Sequence, residues 1–392
     1  MLSRKEFYEK KKYIIERLKG QNSELEEEKL KTTLLSLMAI ETENDDLKNV
    51  RLYNFINALS KGRVSLKREQ KMNSYYPKLS DTFQSPITDE YLSFLIQLAK
   101  NVSEMQVVYD EDSTELIPFQ MDDEKKVELS KVFYSQLGNS DINEKAQRVL
   151  SDSSHFGFSD TVSKGNELLY GITVYDTIFN KPYITTQRLG NIMGCQAFNH
   201  EIMHGVDFYF HPNVVNSQRY YGFHETPTYT IDYLFHDFMD SMGFDKQQVD
   251  ALRRKKQQYT QALAKYDIIG KIQHRLNRTI GMRNTPNATI QDIMRVVDTD
   301  ILKSMLELQS CVMAHGLYQQ ILTNKETGLA NLSEFMSTTF PPDKIPDFSF
   351  VGLDNQTLLQ ISRDMGKIGD NVIQAEQVHS LHQTEISAGR SR

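Results

Sequence analysis

His200, Glu201 and His204 form a His-Glu-x-x-His segment inside the stretch Gln196 to Gly205, and two imidazoles with a carboxylate at this spacing specify a chemistry. At about 100° per residue, an α-helix puts the two histidines about 40° apart, one turn above the other, so both rings reach a single metal ion. Glu201 falls about 100° round from His200 and about 60° from His204. Its carboxylate lies beside the ion without binding it, which is the place of the general base in a zinc hydrolase. The alternative is a group of polar residues on a half-exposed helix face, and ten histidines in 392 residues give chance some scope.

A catalytic zinc needs a third protein ligand and one open position. Glu225, 21 residues beyond His204, is the preferred candidate. Pro212 stops the first helix, residues 213–221 turn the chain back, and Pro227 suits the first turn of a new helix. Glu225 then enters at the head of a helix packed antiparallel to the first and faces both histidines. Asp207 and Asp232 stay open as alternative ligands, and Asp207, one turn past His204, is better placed to orient that ring. His211 is disfavoured, because the metzincin pattern wants Gly and His where this chain has Asp207 and Phe210. His236 lies deeper in the second helix, with Asp232.

The arrangement resembles the gluzincin metallopeptidases, whose third ligand is a Glu on the helix after the His-Glu-x-x-His helix. Gly222-Phe223-His224-Glu225 is similar to the third-ligand segment of angiotensin-converting-enzyme-like peptidases. Glu225-Thr226-Pro227-Thr228 resembles the Glu-x-Pro-Ser of thimet-oligopeptidase-like enzymes. The resemblance covers about residues 168 to 240 and departs in three respects: Met203 stands where those families have Gly, the spacing to Glu225 is shorter, and the chain is far shorter than their two-lobed channels. It implies one Zn2+ per chain on His200, His204 and Glu225, with Glu201 as base, in a zincin-like core.

The elements that must position these residues are mostly helices. Periodic apolar stripes expect a helical hairpin near the N-terminus, helices over about 123–137 and 142–150, a long polar helix over 245–278, and a loop over 62–82. Met105 to Tyr109 and Glu115 to Phe119 read as a strand hairpin. From Leu168 to Phe179, Ile172, Val174 and Ile178 alternate with Thr173, Tyr175 and Thr177, the pattern of a half-buried strand. In the peptidases resembled here, such a strand rims the cleft and pairs with an extended substrate; an ordinary core strand is the alternative. Thr289 is placed to cap a helix with apolar face Ile293, Val297, Ile301, Met305, Leu308 and Val312. His315 and Tyr318 continue that face. The same families draw an oxyanion-stabilising His or Tyr from a helix well downstream, which makes these two candidates. A buried structural pair is the alternative, and Tyr220, Tyr221 and His224 compete for the role.

The fold class expected is mainly α with a small β component (α+β). Three regions divide the chain: helices over 1–103, a zincin-like metallopeptidase domain over 104–340, and a linker, helix and tail over 341–392. In the last region Leu358, Ile361, Met365, Ile368, Val372 and Ala375 make a heptad seam, suited to docking on its own domain or pairing with another chain.

A net charge of −7 argues against a general nucleic-acid or anionic-membrane binder. The one dense basic run, Arg253 to Lys256, reads as a solvated helix face. Two cysteines make no disulfide framework, and Cys195 points about 140° away from His200, as a core thiol. There is no apolar signal-type segment at Met1 and no run long enough to span a membrane. The location expected is therefore cytoplasmic, or secreted without a cleaved signal. The expected function is a zinc-dependent endopeptidase acting on a peptide or protein, with a secreted bacterial effector as one setting. The alternatives are a cytosolic oligopeptidase and a helical interaction scaffold whose motif is accidental.

Overall fold

The computed structural model describes residues 9, 12–14, 16–18, 20, 88–107, 121–160, 162–164, 167–176, 181–210, 223–279, 288–338, 340 and 345–365. After helical residues at 9, 12–14 and 16–18 come helices α1 (Asp89–Ser103), α2 (Asp123–Gln136) and α3 (Ser140–Ser151). Five short strands follow: β1 (Phe156–Ser159), β2 (Val162–Lys164), β3 (Glu167–Leu169), β4 (Gly171–Asp176) and β5 (Lys181–Gln187). Helices α4 (Ile192–Phe210), α5 (Glu225–Ser241) and α6 (Lys246–Ala262) come next, and a π-helical segment (Leu263–Gly270) joins α6 to α7 (Lys271–Thr279). The described chain ends with α8 (Ile290–Met294), α9 (Thr299–Thr323), α10 (Lys325–Ser337) and α11 over residues 355–365. The fold is mainly α with a small sheet, as expected.

Local chemistry accounts for the helix starts. Asp122 accepts from the Lys125 N–H at 2.8 Å and Asn139 from the Ile142 N–H at 3.0 Å, so α2 and α3 begin where periodicity puts them. The helix expected from Thr289 is in fact two. Thr289 and Asp292 close a capping box on α8, but Asp298 then accepts from the Ile301 N–H at 3.1 Å and restarts the chain as α9. Arg275 on α7 pairs with Asp298 at 2.6 Å and pins that break.

The sheet runs in the order β1-β5-β4, with β1 parallel and β4 antiparallel to β5. The strand expected over 168–179 is broken at Tyr170, whose carbonyl accepts from the Gln187 N–H at 2.7 Å. Residues before the break belong to the separate β2–β3 hairpin, and those after it form β4, on the edge of the three-stranded sheet. Helix α4 packs on β4, β5, α3 and α5. Its Phe198, Ile202, Met203 and Val206 are fully buried in a core that runs from Tyr91 on α1 to Met365 on α11. Gly205 permits this approach, since a Cβ there would stand 3.3 Å from both Ile184 and Val149. Burial also raises both thiols, Cys195 and Cys311, to about 12, so neither is a nucleophile.

The basic run needs a correction. Lys256 is 8% exposed and turned inward with Val249, Leu252 and Thr260, while Arg253 is ion-paired to Asp237, Asp240 and Asp250. Helix α11 docks on its own chain: Leu358 and Met365 are buried, and the Asn101 amide of α1 donates to Ser362 at 2.8 Å. Ile368, Val372 and Ala375 lie outside the described residues, as do the loop at 62–82, most of the 105–119 hairpin and the turn at 213–221. Among the described residues no helix is long and apolar enough to cross a membrane.

Candidate metal centre

Helix α4 carries His200, Glu201 and His204, and its start is fixed by Asn191, whose side chain accepts from the Gly194 N–H at 3.1 Å. Helix α5 opens at Glu225 itself, with Pro227 in its first turn, where a missing N–H leaves no helical bond unmade. The two helices pack together, so the head of α5 meets the motif face of α4.

One donor atom each from His200, His204 and Glu225 lies within 4.8 Å of the others. Glu225 Oε2 is 3.3 Å from His200 Nε2 and 3.5 Å from His204 Nε2. A tetrahedral zinc with bonds near 2.05 Å has ligand atoms about 3.3 Å apart. Both the spacing and the donor set of two imidazoles and a carboxylate therefore fit zinc.

The surroundings orient these ligands. His200 Nδ1 faces Asp232 Oδ2 at 3.3 Å, which leaves Nε2 turned to Glu225. Asp232 is thus a partner of a ligand and not the third ligand. Among the described residues His204 Nδ1 has no hydrogen-bond partner, so Asp207, though buried, does not orient that ring. Thr228 donates to Glu225 Oε2 at 3.1 Å, and His224 Nε2 stands 3.1 Å from Glu225 Oε1. Tyr229 lays its ring 5.7 Å from that of His200 and donates its hydroxyl to Glu307 at 3.1 Å.

Electrostatics follow from this crowding. Burial pulls the His200 imidazole down, yet Asp232 and Glu225 outweigh it and hold the group up at about 10. Burial raises the Glu225 carboxyl, but His204, His200 and His224 bring it well below the usual range. Asp232 is lowered against its own burial by His200 and Lys256. Asp232, which is buried, and His200 and Glu225, which are half-buried, are thus held in their charged forms by their neighbours, His204 and Lys256 among them.

Glu201 is 7% exposed and sits against the edge strand. The Thr173 hydroxyl lies 2.6 Å from Glu201 Oε2 and 3.0 Å from the Glu201 carbonyl. A Cβ on Gly171 would come within 2.5 Å of Glu201 Cγ and 2.7 Å of Oε1. Gly171 and Thr173, two apart on β4, therefore both face the carboxylate.

The other sequence candidates are elsewhere. Tyr318 donates to Asp237 Oδ2 at 2.7 Å, and Asp237 is 12 residues along α5 from Glu225, about 18 Å of helix. His315 packs edge-on to Tyr233 with ring centroids 5.6 Å apart, about 12 Å along α5 from Glu225. His236 meets Gln196 at 3.2 Å, away from the ligands. Tyr220 and Tyr221 are outside the described residues, and His224 is beside the cluster, its ring centroid 5.5 Å from that of His204.

Gly171, Thr173, Tyr229 and Lys256 were not singled out by motif. A signal existed for two of them. Glu225, Tyr229 and Asp232 recur at four and three residues, one stripe of a helix, and Lys256 continues the stripe of Val249 and Leu252.

No family model matches the chain, and no curated protein does. Among solved structures it is similar to a protein described as an oligoendopeptidase F from Bacillus anthracis str. Ames, at 13% identity and a TM-score of 0.45, over 95% of this chain and 70% of that one. It is also similar to a PZ peptidase A solved with an inhibitor, at 12% identity and a TM-score of 0.49, over 88% of this chain and 65% of that one. A further oligoendopeptidase F structure gives 11% identity and a TM-score of 0.48, with the same 88% and 65%. The chain spans about two thirds of the length of the solved chains it resembles.

Proposed function

We propose that the protein is a zinc-dependent metallopeptidase that cleaves extended segments of peptides or proteins. The observation that carries this reading is the convergence of His200, His204 and Glu225 at zinc-ligand spacing, with Glu201 on the same helix beside them. When bound, the ion supplies a Lewis acid that acidifies water and polarises a carbonyl. The chain's residues do the rest. Glu201 accepts the proton of the water that attacks the scissile carbonyl carbon and passes it to the departing amide nitrogen as the C–N bond breaks. Thr173 holds the Glu201 carboxylate by its hydroxyl, and Gly171 leaves the space that the carboxylate fills.

Substrate placement follows from the edge strand. The side of β4 away from β5 has no described partner, so an extended peptide can add to the sheet there and pass over Glu201. That geometry favours flexible segments, which offer free backbone N–H and C=O groups, over folded surfaces.

The test pairs metal analysis with cleavage. About one zinc per purified chain is expected, and Glu201→Gln should retain the metal while losing peptide hydrolysis. New N-termini that appear in a proteome digested by the wild type and not by Glu201→Gln would identify the sequence preference. A chain that binds no zinc, or cleavage that survives in Glu201→Gln, overturns the assignment.

A further inference from the structure

Lys256 is a buried cation that peptide hydrolysis does not call for. It comes from α6, one helix beyond the ligands, on the stripe of Val249, Leu252 and Thr260 that faces the core. A solvated ammonium loses its hydration at such a position, so its partners must compensate. It has two. Nζ is 3.3 Å from Asp232 Oδ2 and 3.0 Å from the centroid of the Tyr229 ring.

Both partners lead to one metal ligand. Asp232 Oδ2, the oxygen that Lys256 contacts, also faces His200 Nδ1, while Oδ1 has no hydrogen-bond partner among the described residues. The Tyr229 ring adjoins both the ammonium, at 3.0 Å, and the His200 ring, at 5.7 Å. Glu225, Tyr229 and Asp232 share the stripe of α5 that meets α4, and Lys256 closes that stripe from the far side. Asp232 is 3% exposed, so without the ammonium its carboxylate is a buried anion held by one imidazole edge. It would then turn toward water or another donor, and the His200 ring would lose the anchor that aims Nε2 at the ligand cluster.

Resting on the zinc reading above, we propose that Lys256 is a positioning residue for the metal: it fixes Asp232, and through Asp232 it fixes His200 in the orientation that binds. Lys256 touches neither ion nor substrate. A purely structural role would be to balance the Asp232 charge, with no consequence for the ligand.

Zinc affinity distinguishes the two, measured by competition with a chromogenic chelator on the full chain, alongside thermal unfolding of the chelator-stripped protein. Lys256→Met should weaken zinc binding roughly 10- to 100-fold, the usual consequence of losing a group that orients a ligating histidine. Lys256→Arg, which restores the charge, should recover most of that loss. In an Asp232→Asn background, Lys256→Met should add less than about a threefold further change, since the lysine acts through the carboxylate. If Lys256→Met does not fold, Lys256→Gln keeps a donor to Asp232 without the charge and should bind zinc roughly three- to tenfold more weakly. Wild-type affinity in a folded Met or Gln variant overturns the inference, as does an undiminished effect in the Asp232→Asn background. A wild-type chain that binds no zinc overturns the peptidase assignment, and the inference falls with it.

Discussion

Helix α5 offers a tyrosine to each of two half-buried histidines, one turn apart. Tyr229 stands 5.7 Å from His200 and Tyr233 stands 5.6 Å from His315, ring to ring. The residue types and distances nearly match, yet the imidazoles are driven in opposite directions. His200 is held up at about 10 because Asp232 and Glu225 outweigh its burial, whereas burial alone takes His315 down to about 4. The difference is the carboxylates. A histidine beside a tyrosine in a helix bundle is ordinary packing; a cation site appears where carboxylates from a second helix arrive at the same point.

The strongest way to break the comparison is to remove the shared carboxylate. Glu225→Ala should lower zinc content to below roughly a tenth of an ion per chain and hydrolysis by about a thousandfold or more, because a two-histidine site lacks its third ligand. His315→Ala should leave zinc content unchanged. Plasma mass spectrometry on both purified variants decides the matter: a fully loaded Glu225→Ala chain would move the third-ligand role elsewhere.

The contrast between the two histidines also marks what the sequence made legible. His200, Glu201 and His204 were readable because ligand chemistry imposes residue types at helical spacing. Glu225 was readable because Pro212 and Pro227 bracket a turn and a fresh helix start. His315 and Tyr318 look alike in sequence whether they face a cleft or a neighbouring helix, since periodicity gives a face and not what lies across from it. β5 escaped notice for another reason. It carries Pro182 and four polar residues in seven, and one of its two partners, β1, is parallel and about 28 positions away, so no local alternation announces it. Lys256 reads as solvated in the sequence because four basic residues in a row hide which of them faces inward.

A smaller effect is expected from the edge strand. Gly171→Ala would put a methyl group 2.5 Å from Glu201 Cγ, so the base must shift. A displacement of this order typically costs about 10- to 100-fold in kcat. KM and zinc content should stay near wild type, because neither the strand's backbone edge nor the ligands change. Steady-state kinetics on a peptide substrate give the split, and an unaltered kcat would show that β4 does not set the position of Glu201.

The pH dependence of stability sharpens the contrast. His315 titrates near 4 when folded and near 6.5 when unfolded, so below about pH 6.5 the unfolded chain takes up a proton that the native state refuses. Stability therefore falls as pH drops from about 6.5 to about 4 and then levels off, and His236, also lowered by burial to about 4, contributes in the same sense. In His315→Gln the loss between pH 7 and pH 5 should be smaller than in wild type by about 2 kcal/mol at most. Urea unfolding at the two pH values measures this as a difference of differences, so any uniform cost of the substitution cancels. Parallel pH slopes in variant and wild type would mean that His315 is not kept neutral by its surroundings.

Tyr318→Phe should have the smallest effect, and it tests where the oxyanion donor is not. The Tyr318 hydroxyl bonds Asp237 at 2.7 Å, and Asp237 keeps Arg253 at 2.9 Å when that hydroxyl is gone. The carboxylate is left paired, so the loss should be about 1 kcal/mol or less, a small shift in Tm. Hydrolysis should stay within roughly threefold of wild type, because about 18 Å of helix separates Asp237 from Glu225. Removing a true oxyanion donor costs on the order of a hundredfold or more in kcat. A loss of that size in Tyr318→Phe, with Tm unchanged, would mean that the hydroxyl leaves Asp237 for the cleft during turnover, and α9 would then have to move against α5 to bring it there.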